Sequence, residues 1–219
     1  MQFLYHPEPQ TQLVLKGEEH KYLFKVRRTG VNEKINIRNL KDDFLYVYKI
    51  DSINKKEALL TLVEKIHSPN RPEKFFHLAW CIIDPKNIEK ALPFLNEIGV
   101  GKISFVYCDF SQKNFKLKTE RLNKILINSS QQCGRSDLPE IEILNGSKEF
   151  FEKYPDFYAL DFKGNEINAD INTDLPFFIG PEGGFSEKER RNFKKIFKLK
   201  GFILKSETAA VSICAKIML

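Results

Sequence analysis

No run of this 219-residue chain approaches the roughly 18 consecutive apolar residues that a membrane-spanning helix needs, so no such span is expected. Cysteine is scarce. Cys81, Cys108, Cys133 and Cys214 form no CxxC pair, and no histidine cluster stands beside them. A metal site and a disulfide framework are therefore not expected, and each cysteine reads as a small buried apolar residue. Neither GxxxxGK[ST] nor GxGxxG occurs, which excludes the P-loop and the dinucleotide fingerprint. Internal repeats and low-complexity segments are missing as well. The opening "MQFLYHPEPQ" lacks the basic and apolar segments of a secretory signal, which makes the cytoplasm the expected location.

What remains is an ordinary globular composition, 42% hydrophobic and 29% charged, with a formal net charge of +6. A basic chain favours polyanionic partners. Lys113, Lys116, Lys118, Arg121, Lys124 and Arg135 fall in one stretch, and Arg190, Arg191, Lys194, Lys195, Lys198 and Lys200 in another. Each cluster reads either as a solvated helix face or as a surface for phosphates; several in one chain point to nucleic acid.

The hydrophobic pattern divides the chain. Residues 1–68 hold short β segments such as "EKINIRN", "DFLYVYKI" and "EALLTLVEKI", and predict a small barrel or sheet domain. "HSPNRPEK" is polar and punctuated by proline, and is the expected linker. From residue 74 to 219, apolar strands alternate with helical patterns, which predicts a parallel α/β sheet. "FFHLAWCII" suits a strand covered on both faces. Asp84 can cap the next helix with Pro85 at its first position, while Pro93 should kink that helix or tighten it locally. Thr119–Cys133 reads as a helix stopped by Gly134. "EIEIL", "FYALD", "LPFFIG" and "GFIL" read as strands. Ser186 and Glu189 form a capping-box pattern ahead of a basic helix, and Ser206 can cap the last one.

Three elements carry chemistry. "IGPEGGFS" puts glycines where a buried strand ends, the place where ligands of open α/β sheets gather. Bare backbone there lets a ligand approach closely, or simply makes a tight turn. "GFILKSETAAV" makes a second strand-to-helix corner, and the two corners can form the walls of one pocket. "NSSQQCGRSDLPEI" brings amides and Arg135 to a helix end.

These segments, all downstream of "NEIGVGKI", together with the opening "FLYHPEP" and "HKYLFKVRR", resemble the RsmE family of ribosomal RNA uridine-N3 methyltransferases, within the SPOUT superfamily. The resemblance runs from near residue 3 to the end. It implies an α/β fold with a SPOUT-type parallel sheet and a C-terminal trefoil knot, preceded by a small PUA-like β-barrel for RNA. It further implies a homodimer, S-adenosyl-L-methionine as cofactor, no metal, and methylation at N3 of a uridine in 16S rRNA of the small ribosomal subunit.

Position by position, Ile179, Gly180, Pro181, Glu182 and Gly183 are implied beside the cofactor, and Leu199, Lys200, Phe202 and Leu204 around its adenine and methionine parts. Arg135 and Lys205 are the cations expected either to stabilise the uracil anion or to contact a phosphate, and Glu207 is the candidate base, with solvent as the alternative acceptor of the proton. His20, Arg27, Arg28 and Gln132 are expected on RNA, with Lys21, Lys25, Lys34 and Arg38 adding to a phosphate grip. The sequence departs from the family where Leu-Gly-Pro-Arg is usual and "LKGF" stands, and where Lys205 replaces an arginine. "FLNEIG" also stands for the usual Lys-Ala-Thr-Glu-Leu-Gly. Two other readings share the motifs: an RNA-binding assembly protein without catalysis, and a methyltransferase of this fold with another RNA target such as tRNA.

Overall fold

The computed structural model describes residues 2–26, 28–167 and 171–219. Its contacts gather into two compact units. The first is Met1–Arg71 with Ser130–Asp137, and the second is Pro72–Ser129 with Leu138–Leu219.

The first unit contains β1 (Leu4–Tyr5), β2 (Gln12–Lys16), α1 (Gly17–His20), which continues as a π-helical turn over Lys21–Val26, β3 (Lys34–Arg38), β4 (Phe44–Ile53) and β5 (Glu57–His67). These strands form one curled sheet in the order β1-β3-β4-β5-β2. All its pairs are antiparallel except β1 with β3. Strict alternation sets the faces: along β2, Leu13 and Leu15 are buried while Gln12, Val14 and Lys16 are exposed. The buried face packs Leu13, Leu15, Ile37, Tyr48, Ile50 and Leu60. The expected barrel is a half-barrel: among the described residues the edge strands β1 and β2 do not pair. Ser130–Asp137 is knitted into this unit by main-chain and amide bonds. Gln2 N–H donates to Gln131 O at 2.8 Å, and Asn70 Nδ2 to Gly134 O at 2.9 Å.

The second unit contains β6 (His77–Cys81), α2 (Pro85–Ile98), β7 (Lys102–Val106), α3 (Thr119–Cys133, whose last turn groups with the first unit), β8 (Glu140–Leu144), α4 (Ser147–Lys153), β9 (Tyr158–Glu166), β10 (Phe177–Ile179), α5 (Glu187–Arg190), β11 (Lys195–Lys198) and α6 (Ser206–Met218). Every strand pair is parallel, in the order β11-β9-β10-β6-β7-β8. β6 is buried throughout because it has core on both faces: Leu78 and Trp80 join one hydrophobic cluster, Ala79 and Cys81 the other. Asp84 Oδ1 accepts from Lys86 N–H at 2.8 Å and starts α2, which runs on through Pro93. α3 occupies the expected residues. No helix among the described residues is long and apolar enough to cross a membrane.

Three expectations are corrected. The capping box at Ser186 and Glu189 is present, but the basic helix it heads is only Glu187–Arg190. Phe185 and Phe193 both return to the aromatic cluster around Phe178, their rings 4.8 Å apart, and this contact turns the chain back after one helical turn. Of the following lysines, Lys195 and Lys198 lie on edge strand β11. "GFIL" is not a strand either: Gly201 has φ of +119°, and Phe202 and Ile203 are exposed. Finally, Cys81 and Cys108 form a buried disulfide. Cys81 pairs in register with Val106, and Cys108 lies two residues beyond it on the same face of the neighbouring strand. That adjacency follows from strand order, which cysteine spacing does not reveal.

Candidate functional site

The carboxyl ends of β9, β10 and β11 surround a cavity of about 520 Å³. Its walls come from three segments: the end of β9 (Leu160, Asp161, Phe162, Glu166), the turn after β10 (Ile179 to Glu182, Gly184 and Phe185), and Lys198–Leu204 with Ser206 and Ala209. Both bare-backbone corners singled out in the sequence therefore face one cleft. Of the residues expected beside a cofactor, Ile179, Gly180, Pro181, Glu182, Leu199, Lys200, Phe202 and Leu204 line it. Gly183 does not; a Cβ there would stand 3.5 Å from the side chain of Phe110.

The glycine turn is held from several sides. Ser186 Oγ accepts from Glu189 N–H at 3.2 Å, and Glu189 Oε2 accepts from Ser186 N–H at 2.9 Å. The other oxygen of this buried carboxylate accepts from Asp109 N–H at 3.0 Å, which ties in the loop after β7. Arg190 holds Asp161 through Nε at 3.0 Å and Nη2 at 2.9 Å, joining α5 to β9. At Gly180 a Cβ would meet the Phe185 ring at 3.2 Å and the Gly184 backbone at 3.4 Å. The packing of the turn leaves little room for a side chain there.

Ser206 was expected to cap the last helix. It is instead the first residue of α6 and bonds elsewhere. Its hydroxyl donates to Gly180 O at 2.6 Å and accepts from Trp80 Nε1–H at 2.9 Å. Trp80 and Ser206 are buried and Gly180 is half-buried, and this chain of bonds pins the second corner to the first. Lys205 is exposed next to it. Glu207 is half-buried, and its Oε2 is buried with no hydrogen-bond partner among the described residues.

The remaining candidates lie in the first unit. Arg135 is buried and grips Asp137 through Nε at 2.8 Å and Nη2 at 3.1 Å; Gln132 is exposed. Arg28 is exposed with φ of +57°. Arg27 lies outside the described residues. His20 departs from expectation: it is buried, its Nε2 lies 3.0 Å from Asn54 O, and its ring packs on Phe24, so no phosphate reaches it. Arg38 is buried too, with Nη2 donating to Ser68 O at 2.8 Å. Burial lowers its pKa against the opposing pull of Asp43 and Asp42.

Sequence reasoning missed Trp80, Asp161, Glu166 and Arg190. Asp161 had a usable signal, because it ends the apolar run "FYALD" toward the ligand-binding end of the sheet.

At the amino ends of the same sheet lies a second polar group. Ser104 Oγ donates to Glu142 Oε2 at 2.7 Å and lies 2.7 Å from His77 Nε2, which therefore carries the proton. Tyr154 OH and Lys153 also donate to Glu142. Burial and then the Lys102 charge push His77 down to about 4. Burial raises Glu142, but hydrogen bonds from Lys153, Ser104 and Tyr154, with the Lys102 charge, outweigh it and bring it to about 2.

Residues 70–218 match the family model described as an RNA methyltransferase domain, and residues 15–63 match the RNA methyltransferase PUA domain. Over 222 aligned positions the chain is 45% identical to ribosomal RNA small subunit methyltransferase E of Helicobacter pylori, covering 98% of each chain. Its fold is similar to that of the Neisseria gonorrhoeae ribosomal RNA small subunit methyltransferase E bound to S-adenosyl methionine. That likeness has a TM-score of 0.82 at 22% identity, over 98% of this chain and 95% of that one. It is also similar to a Legionella pneumophila methyltransferase in complex with the same cofactor, with a TM-score of 0.81 at 22% identity and the same coverage. By the matched domain and by identity over nearly its whole length, the chain belongs to the RNA methyltransferase family, among the ribosomal RNA small subunit methyltransferase E proteins.

Proposed function

We propose that this chain methylates N3 of a uridine in 16S rRNA of the small ribosomal subunit, using S-adenosylmethionine. The observation that carries the reading is the single cleft shared by the Gly180 turn and the Lys198–Leu204 corner. The residues present suit that cofactor. The volume is that of a small-molecule site. Ile179, Leu199 and Leu204 offer apolar walls for an adenine, and main-chain groups at both corners are available to its polar edges. Glu166 and Glu182, beside an Asp161 already paired with Arg190, bring negative charge to a ligand that carries a sulfonium and an amine. When bound, S-adenosylmethionine supplies an electrophilic methyl group whose transfer leaves a neutral thioether.

The protein has three remaining tasks. It must hold N3 in line with that methyl group, take the N3 proton, and stabilise the charge on O2 and O4. Lys205, exposed beside the cleft, and Arg135 are the cations we assign to the anion; Arg135 must share its hold on Asp137 to take part. Glu207, with one buried oxygen lacking a partner, is the group we assign to the proton. Arg28 and Gln132 are assigned to RNA.

The division into residues 1–68 for RNA and 74–219 for transfer, the trefoil knot, the homodimer and the cytoplasmic location belong to the same proposal. The family matches at residues 15–63 and 70–218 support the division.

One experiment covers the rivals. Protein, labelled cofactor and undermethylated small subunits are incubated, and the label is mapped by nucleoside mass spectrometry. N3-methyluridine in 16S rRNA is expected. Label on another base, or on tRNA alone, rejects the assignment. No label and no calorimetric binding of S-adenosylmethionine leaves an RNA-binding assembly protein.

A further inference from the structure

Phe202 lines the cleft and is nevertheless 93% exposed. Ile203 beside it is 81% exposed, and Phe162, across the same cleft on β9, is 67% exposed. Single exposed apolar residues are common, but three exposed ones lining one cavity, two of them aromatic, are not. Among the described residues nothing covers the Phe202 ring. Gly201, just before them, stands at φ +119°, a conformation that other residues rarely adopt. The charge along the segment that carries Phe202 and Ile203 has one sign. The eleven residues from Lys195 to Lys205 hold four lysines and no acidic residue, and Lys198, Lys200 and Lys205 are all exposed.

An exposed aromatic between lysines matches the two faces of a single-stranded nucleic acid: a π-surface for a base and cations for the phosphates beside it. We propose that Phe202 is a positioning residue that stacks on a nucleobase of the RNA strand delivered to the cleft. The inference rests on the methyltransferase reading above and deepens it. A base must leave its helix for its N3 to be reached, and a stacking surface at the cleft mouth offsets the lost stacking. The ring is accordingly assigned to RNA, while the main chain of this corner stays with the cofactor.

The test uses Phe202→Trp in the full chain. Trp80 is the sole native tryptophan and is fully buried, so the added indole is the exposed reporter. A short oligouridylate is expected to quench it, and an abasic ribose-phosphate strand of equal length is expected not to. Equal quenching by both strands overturns stacking in favour of phosphate contact alone. Quenching that grows with protein concentration and needs no RNA assigns the patch to a second copy of the chain and overturns the proposal.

Phe202→Ala is expected to raise KM for small subunits about 5- to 150-fold, with the calorimetric Kd for S-adenosylmethionine within about twofold. Phe202→Leu is expected to fall with alanine. A leucine variant at wild-type KM, or a loss confined to cofactor affinity, overturns it. If wild-type protein transfers no methyl group, the functional reading fails, and the oligouridylate arm still decides the stacking.

Discussion

The two ends of the parallel sheet contrast sharply in where their chemistry resides. At the amino ends, His77, Ser104, Glu142, Lys153 and Tyr154 satisfy one another, and two of them are strongly shifted in pKa. At the carboxyl ends the cleft is walled largely by main chain, apolar side chains and a few carboxylates. Shifted titratable groups are a usual marker of a functional site. Here they mark a closed polar lock between β6, β7, β8 and α4, while the proposed ligand site is marked by a glycine turn and a second strand-to-helix corner. A pKa shift reports burial and partners. It marks a site only when the group still has a face free for something else.

Four changes break or sharpen that contrast. Gly180→Val has the largest expected effect. Its side chain collides with Phe185 and the Gly184 backbone, and such overpacking costs about 1–3 kcal/mol. Cofactor binding measured by calorimetry should be lost, while wild-type affinity would mean that the turn is not part of the site. Ser206→Ala comes next. It strands the Gly180 carbonyl and the Trp80 indole N–H, costs about 1–3 kcal/mol in denaturant unfolding, and weakens cofactor binding along with stability.

The third change acts on the amino end. The folded pKa of His77 lies below the ordinary 6.5, so the unfolded chain binds its proton first as pH falls. Stability is full above about 6.5 and is lost toward pH 4, at up to about 1.4 kcal/mol per pH unit for one proton. Glu142, also depressed, adds a loss from about 4.5 down toward 2. His77→Asn should flatten the upper window in stability-versus-pH curves and leave cofactor affinity at neutral pH unchanged. A cofactor affinity that falls with it would join the two ends functionally. Gly201→Ala has the smallest effect, about 1 kcal/mol, because the added methyl meets no atom within 4 Å and only the positive φ opposes it. It should alter KM for RNA more than cofactor affinity.

Much of this was legible before any coordinates. Helices over Pro85–Ile98 and Thr119–Cys133 follow from an aspartate cap, a leading proline, periodic apolar residues and a glycine stop. The glycine turn announced itself through composition and place. Less was legible where one local signal met a distant competitor. The capping box at Ser186 was real, but Phe193 had a nearby aromatic cluster to join, and the helix ended early. His20 and Arg38 looked like surface charges because sequence carries charge and not depth. Ser206 looked like a cap because a serine before a helix usually is one; Gly180 and Trp80, 26 and 126 residues away, offered its hydroxyl other partners.

The order of residues alone settled the alternation of strands and helices, the apolar centre of the sheet and the two turns with bare backbone. These depend on neighbours within a few positions, and local periodicity records them. Tertiary structure alone decided that both turns share a cleft, that Cys81 meets Cys108, that Asp161 receives Arg190, and that Phe202 stands in the open. Each of these is a meeting of segments far apart in the chain, governed by strand order and by competition for a finite core.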